Sequence, residues 1–136
     1  MTDTNKPQRP VFRNIHITDI RTYRLPPAGI VSILHRVSGA GMFLMMPFII
    51  WMFDNSLSSE VSFERFALVV SHPLIKLICL GLIWAYLHHF VAGVRHLWMD
   101  ATHSVTKEQG RSSAIVTFAV SLPLTVILGA KLFGLF

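Results

Sequence analysis

Cysteine is almost missing from this chain, and charge is scarce. The one cysteine among 136 residues, Cys79, lies inside an apolar run, which excludes an intrachain disulfide and any cysteine-based zinc or iron–sulfur site. Charged residues make up 14% of the sequence, against about 25% in soluble domains. With 52% hydrophobic residues and a mean hydropathy of +0.54, water is not the principal solvent. Acids are scarcer than bases, 7 against 12, giving a formal charge of +5 and a pI near 10.0. In a soluble chain that balance would suggest nucleic acid. Here the basic residues cluster beside apolar stretches, the footprint of membrane topology, and no nucleic-acid partner is expected. There is no internal repeat, low-complexity tract or glycine-rich nucleotide loop. Some 27 polar or basic residues precede the first apolar run, which is too long for a signal-peptide core. The opening Met1-Thr2-Asp3-Thr4-Asn5 carries an acid and no amphipathic pattern, so a bacterial cytoplasmic membrane protein is expected rather than an organellar precursor.

What is present is three long apolar runs, predicting an all-α, integral membrane fold of three transmembrane helices in an up-down-up bundle. Residues 1–28 read as a basic cytoplasmic arm, and 29–136 as one membrane domain with spans at about 29–53, 72–97 and 113–136. Pro27 stands where a helix can begin, and Pro123 predicts a kink in the third span. Residues 54–71 read as a polar connection of net negative charge, and 98–112 as a short loop with Lys107 and Arg111. With the basic arm and the Arg95 to Arg111 segment on one side and the acidic 54–71 connection on the other, the positive-inside rule puts the N-terminus in the cytoplasm and the C-terminus in the periplasm.

Ionisable residues inside a span are costly and mark function. Ser32, His35, Arg36 and Gly39 follow at i, i+3, i+4 and i+7 and share a helix face. Their donors suit haem propionates or quinone carbonyls; the plain alternative is an arginine anchoring the cytoplasmic end. In the second span His89, Gly93 and His96 share a face, and Gly93 removes a side chain beneath His89. Imidazole is the usual axial ligand of membrane-buried haem iron, so His89 or its neighbour His88 is a candidate, against the plain reading of a hydrogen-bonded structural histidine. Arg36 and His89 each lie about 8 residues from the cytoplasmic end, roughly 12 Å deep, so antiparallel neighbours could share one cofactor. His88, His89 and His96 all belong to one helix, so a second axial ligand has to come from another chain. His72 reads as the outer end of the second helix, and His16 and His103 as parts of solvated segments. Phe43, Met45, Met46 and Trp51 read as packing or interface residues, while Ser38, Gly39, Ala40 and Gly41 permit close helix contact.

Two motifs then carry a resemblance. The first runs from Arg9-Pro10-Val11 through Tyr23-Arg24-Leu25-Pro26 to Ser32-Ile33-Leu34-His35-Arg36-Val37-Ser38-Gly39; the second is His89-Phe90-Val91-Ala92-Gly93-Val94-Arg95-His96-Leu97-Trp98-Met99-Asp100. Together, in this order and in these helices, they resemble the cytochrome b membrane-anchor family of succinate dehydrogenase, the membrane part of respiratory complex II. The resemblance implies that His89 rather than His88 is the axial ligand of haem b, that Ser32 and Arg36 line the ubiquinone site, and that His35 and Arg36 approach the haem propionates. His96 and Asp100 would have a supporting role at the cytoplasmic surface. The implied partners are a flavoprotein subunit, an iron–sulfur subunit and a second small membrane anchor supplying the other haem histidine, all held at the lipid bilayer. A mainly structural, haem-stabilised anchor and a menaquinol:fumarate reductase anchor are the competing expectations, and a transporter is disfavoured because no discontinuous repeat or paired intramembrane carboxylate occurs.

Overall fold

The computed structural model describes residues 16, 18–19, 22–103 and 106–136, among which there are five α-helices and no strand. Residues 1–15 of the arm, with the Arg9-Pro10-Val11 part of the first motif, lie outside the described residues. Helix α1 spans Pro27–Leu44, α2 Met46–Leu57, α3 Glu60–Ser71, α4 Pro73–Thr102 and α5 Lys107–Leu132. Two of them, α4 and α5, are long and apolar enough to cross a membrane; α1 and α2 qualify together as a pair bent by 53°.

That bend divides the first apolar run. Pro47 has no N–H to donate back to the preceding turn, and its ring crowds the carbonyl four residues earlier. The chain turns at Met45 (φ −84°, ψ −2°), just before it. Pro123, by contrast, does not interrupt α5, which continues through it to Leu132.

The two connections are shorter and more helical than their polar composition suggests. Residues 60–71 form α3, begun by a capping box in which Ser59 accepts from the Ser62 N–H and the Ser62 hydroxyl faces the Ser59 N–H. A second box, Thr106 with Gln109, starts α5 six residues before the apolar run itself. Helix α4 begins at Pro73, with the His72 ring accepting the Leu74 N–H at 3.2 Å, and ends where His103 takes a left-handed conformation (φ 54°).

Helices α1, α4 and α5 pack on one another, while α2 pairs with α3 and α3 touches α4. The interior is inverted relative to a soluble protein. Its apolar members are small, Val31, Ala85, Ala92 and Ala114, and its polar ones are Ser38, Asn55, His88, Arg95, Thr117 and Ser121. Large side chains such as Phe43, Phe53, Tyr86, Leu97 and Trp98 point outward. Lipid is as apolar as leucine, so burying leucine gains nothing there; small residues that let backbones approach, and polar groups that pair, hold such bundles together.

Arg95 is one such group. It is 8% exposed, and its guanidinium donates to the Ser113 hydroxyl at 2.9 Å and to the Gly110 carbonyl at 3.2 Å, tying the end of α4 to the first turns of α5. Replacing Arg95 by Leu should cost about 1–2 kcal/mol, the range for polar pairs between membrane helices. Amide exchange over residues 107–113 should then speed up severalfold in detergent, while the α1–α4 contact keeps its protection; equal exchange in both proteins would refute the clamp.

Candidate functional site

The site grows out of one crossing. Helices α1 and α4 run antiparallel, and each carries histidine and glycine four residues apart: His35 with Gly39, His89 with Gly93. Residues at i and i+4 share a helix face, so each helix offers a ring and a gap side by side.

The two faces interlock reciprocally. A Cβ on Gly39 would stand 2.7 Å from His89 Cε1 and 3.1 Å from its Nδ1, so the His89 ring lies against the bare backbone of α1. A Cβ on Gly93 would stand 3.5 Å from His35 Nε2. Between the glycines the rings stack, with centroids 4.1 Å apart and planes 12° from parallel. The space opened by Gly93 is thus filled by His35 from the other helix, whereas the glycine beneath His89 is Gly39. His96, two turns on from His89, sits with its ring centroid 5.2 Å from that of His35, tilted by 59°.

Hydrogen bonds fix the His89 ring. Its Nδ1 is 2.9 Å from the His35 carbonyl oxygen and 3.4 Å from the Ser38 hydroxyl, which itself donates to the same carbonyl at 3.0 Å. A carbonyl only accepts, so Nδ1 carries the proton and Nε2 keeps its lone pair. This is the tautomer in which an imidazole binds iron through Nε2.

The histidine doublet divides between two environments. His88 is fully buried, with Trp84 stacked at 5.4 Å and Phe118 of α5 tilted at 5.6 Å. Neither of its ring nitrogens makes a well-aligned hydrogen bond, and the polar group beside it is the Val31 backbone. It fills the core among three helices, whereas His89 lies half-buried at the α1–α4 seam.

Of the other residues expected at the site, Ser32 is half-buried and Arg36 is exposed. Four residues apart on α1, they form a hydroxyl and a guanidinium one above the other. Ala40 and Gly41 are also exposed, and a Cβ on Gly41 would meet nothing within 4 Å, so the close contact expected of the small-residue run belongs to Ser38 and Gly39. Two contributors escape a reading of the sequence, Ser38 as a hydroxyl facing the His89 ring and Arg95 as an interhelical clamp. Both are visible there only as parts of motifs, since serine and a span-end arginine are common in such helices.

Among the described residues no three His, Cys, Asp or Glu side chains stand together as a chelating group.

Residues 5–128 match the family model described as the succinate dehydrogenase/fumarate reductase transmembrane subunit. The chain is 36% identical over 112 residues to the succinate dehydrogenase cytochrome b556 subunit of Coxiella burnetii, covering 82% of this chain and 90% of that one. It is 32% identical over 127 residues to the subunit of the same name from Paracoccus denitrificans, covering 93% and 94%. A third of that name, from Rickettsia felis, is 24% identical over 106 residues, covering 78% and 82%.

The reciprocal packing makes unequal demands on its two glycines. Gly39→Ala forces the His89 ring to move and should cost about 1–3 kcal/mol, as overpacking does. At Gly93 the added methyl meets only ordinary van der Waals contact, and Gly93→Ala should cost less than half as much. Thermal unfolding of the two variants side by side in detergent tests the order, which would have to reverse for the geometry to be wrong.

Proposed function

The chain belongs to the succinate dehydrogenase/fumarate reductase transmembrane subunit family, and from that premise we propose that it is the haem b-binding anchor of a bacterial succinate dehydrogenase, helping to form the site where ubiquinone is reduced. The observation that carries this reading is the His89 ring, seated against Gly39 with Nδ1 committed to the His35 carbonyl, which leaves Nε2 as a metal-binding lone pair.

In this reading the chain crosses the inner membrane three times, with the bent α1–α2 pair as one span, α4 and α5 as the others, and α3 at the periplasmic surface. Residues 1–28 form the cytoplasmic arm, 29–136 the membrane domain, and the C-terminus is periplasmic. A flavoprotein oxidises succinate, an iron–sulfur subunit passes on the electrons, and a second small anchor provides the other axial histidine. The half-buried position of His89 at the α1–α4 seam supports such a partner.

Each residue then has a distinct task. His89 would hold the iron of haem b, whose contribution is a one-electron store within the membrane. His35 keeps the ligand in the binding tautomer through its carbonyl, and its ring packs flat against that of His89. His35 and the exposed Arg36 supply positive or donor groups toward propionates. Ser32, half-buried, and Arg36, exposed, stand one turn apart on α1 and donate hydrogen bonds to the quinone oxygens as negative charge builds on them, the moment at which fixed donors lower a barrier. The names of the relatives, all succinate dehydrogenase subunits, favour this direction over fumarate reduction.

In the purified complex, Ser32→Ala and Arg36→Leu should each lower quinone reduction at least tenfold, a loss of about 1.4 kcal/mol of transition-state binding. Succinate oxidation by an artificial acceptor should stay unchanged, and intact quinone kinetics would remove both residues from the site. His89→Ala should abolish the haem b absorbance in the reduced-minus-oxidised spectrum; a complex that keeps this absorbance would exclude His89 as the ligand. Normal turnover in a haem-free, assembled His89→Ala complex would make the haem structural rather than redox-active.

A further inference from the structure

Ser38 has no assigned part in this chemistry, yet it is among the most buried polar residues of the chain, at 2% exposure. Its hydroxyl donates to the His35 carbonyl at 3.0 Å. The same carbonyl accepts from His89 Nδ1 at 2.9 Å, so two side-chain donors share an oxygen that also takes part in the α1 helix ladder. With its proton committed to that carbonyl, the Ser38 oxygen turns lone-pair density toward His89 Nδ1 at 3.4 Å.

We infer that Ser38 is a positioning residue that acts through the His35 carbonyl to set how strongly His89 donates to the metal it binds. The inference rests on the reading of His89 as haem ligand and deepens it. A metal-bound imidazole becomes more basic as its second N–H is more strongly accepted, and a more basic ligand favours ferric over ferrous iron. The Ser38 O–H competes for the accepting oxygen and so weakens the pull on the His89 proton. The direct contact from Nδ1 to the Ser38 oxygen acts the opposite way, but 3.4 Å is beyond the usual range of an N–H···O bond and its effect is the smaller.

Removing the hydroxyl therefore leaves His89 as the one side-chain donor to that carbonyl, beside the Gly39 N–H of the helix ladder. In the purified complex, Ser38→Ala should shift the ferric-to-ferrous balance about threefold toward ferric, lowering the haem midpoint potential by about 30 mV at about 59 mV per tenfold for one electron. Ser38→Cys keeps the shape with a weaker donor, so it should fall between Ser38→Ala and the parent; it also supplies the measurement if Ser38→Ala does not assemble. The ferric electron paramagnetic resonance spectrum should shift in the same order, a change that simple loosening of the helices would not grade by donor strength. A midpoint that stays put or rises in both variants, with haem retained, overturns the role of Ser38. That result is distinct from failure of the ligand assignment itself, which would appear as a normal haem spectrum in His89→Ala.

Discussion

Everything at this site depends on two helix backbones coming close enough for each to accept the other's imidazole. Gly39 and Gly93 make the approach sterically possible, and the rings of His89 and His35 fill the space. The demand is unequal: a Cβ at Gly39 would collide with the His89 ring, whereas one at Gly93 would meet His35 at ordinary contact distance. Since the helices are antiparallel, one spacing of four residues used twice creates both matches. The repetition of His-x-x-x-Gly in α1 and α4 is the sequence form of that packing.

The same constraint decides what the main chain must do. Close approach brings the His35 carbonyl within reach of His89 Nδ1, so a backbone group already belonging to a helix becomes the orienting partner of a side chain 54 residues away. A carboxylate in this position would be a stronger acceptor, but it would add a buried charge to an apolar bundle, which is expensive. Carbonyl and hydroxyl groups achieve the orientation without that cost. Arg95 meets the same restriction at the end of α4, where its charge is spread over a hydroxyl and a carbonyl rather than paired with an acid.

Much of this is legible in the sequence, for reasons that differ from element to element. Membrane class and the extents of the apolar runs follow from composition summed over about 20 residues, where single errors average out. His35, Arg36 and His89 stand out because an ionisable side chain in an apolar run has few innocent explanations. The polar connections read as loops because composition does not distinguish a solvated helix from a solvated coil. The Ser59–Ser62 and Thr106–Gln109 pairings that start α3 and α5 carry that information in their spacing alone. The bend at Met45 escapes notice since Pro47 lies within an otherwise unbroken apolar stretch, whereas Pro123, the proline expected to act, is carried within a continuous helix.

His88 and His89 show most clearly where sequence reasoning reaches its end. Adjacent residues on a helix point about 100° apart, so one of them necessarily misses any site that the other faces. Which one does so depends on where the third helix lies, and that is not encoded locally. Helix α5 brings Phe118 against His88 and closes it into the core, leaving His89 half-buried at the α1–α4 seam. The different surroundings of the two rings thus follow from a helix that contributes none of its own residues to the His35–His89 stack, and whose docking is held in part by Arg95 toward the end of α4.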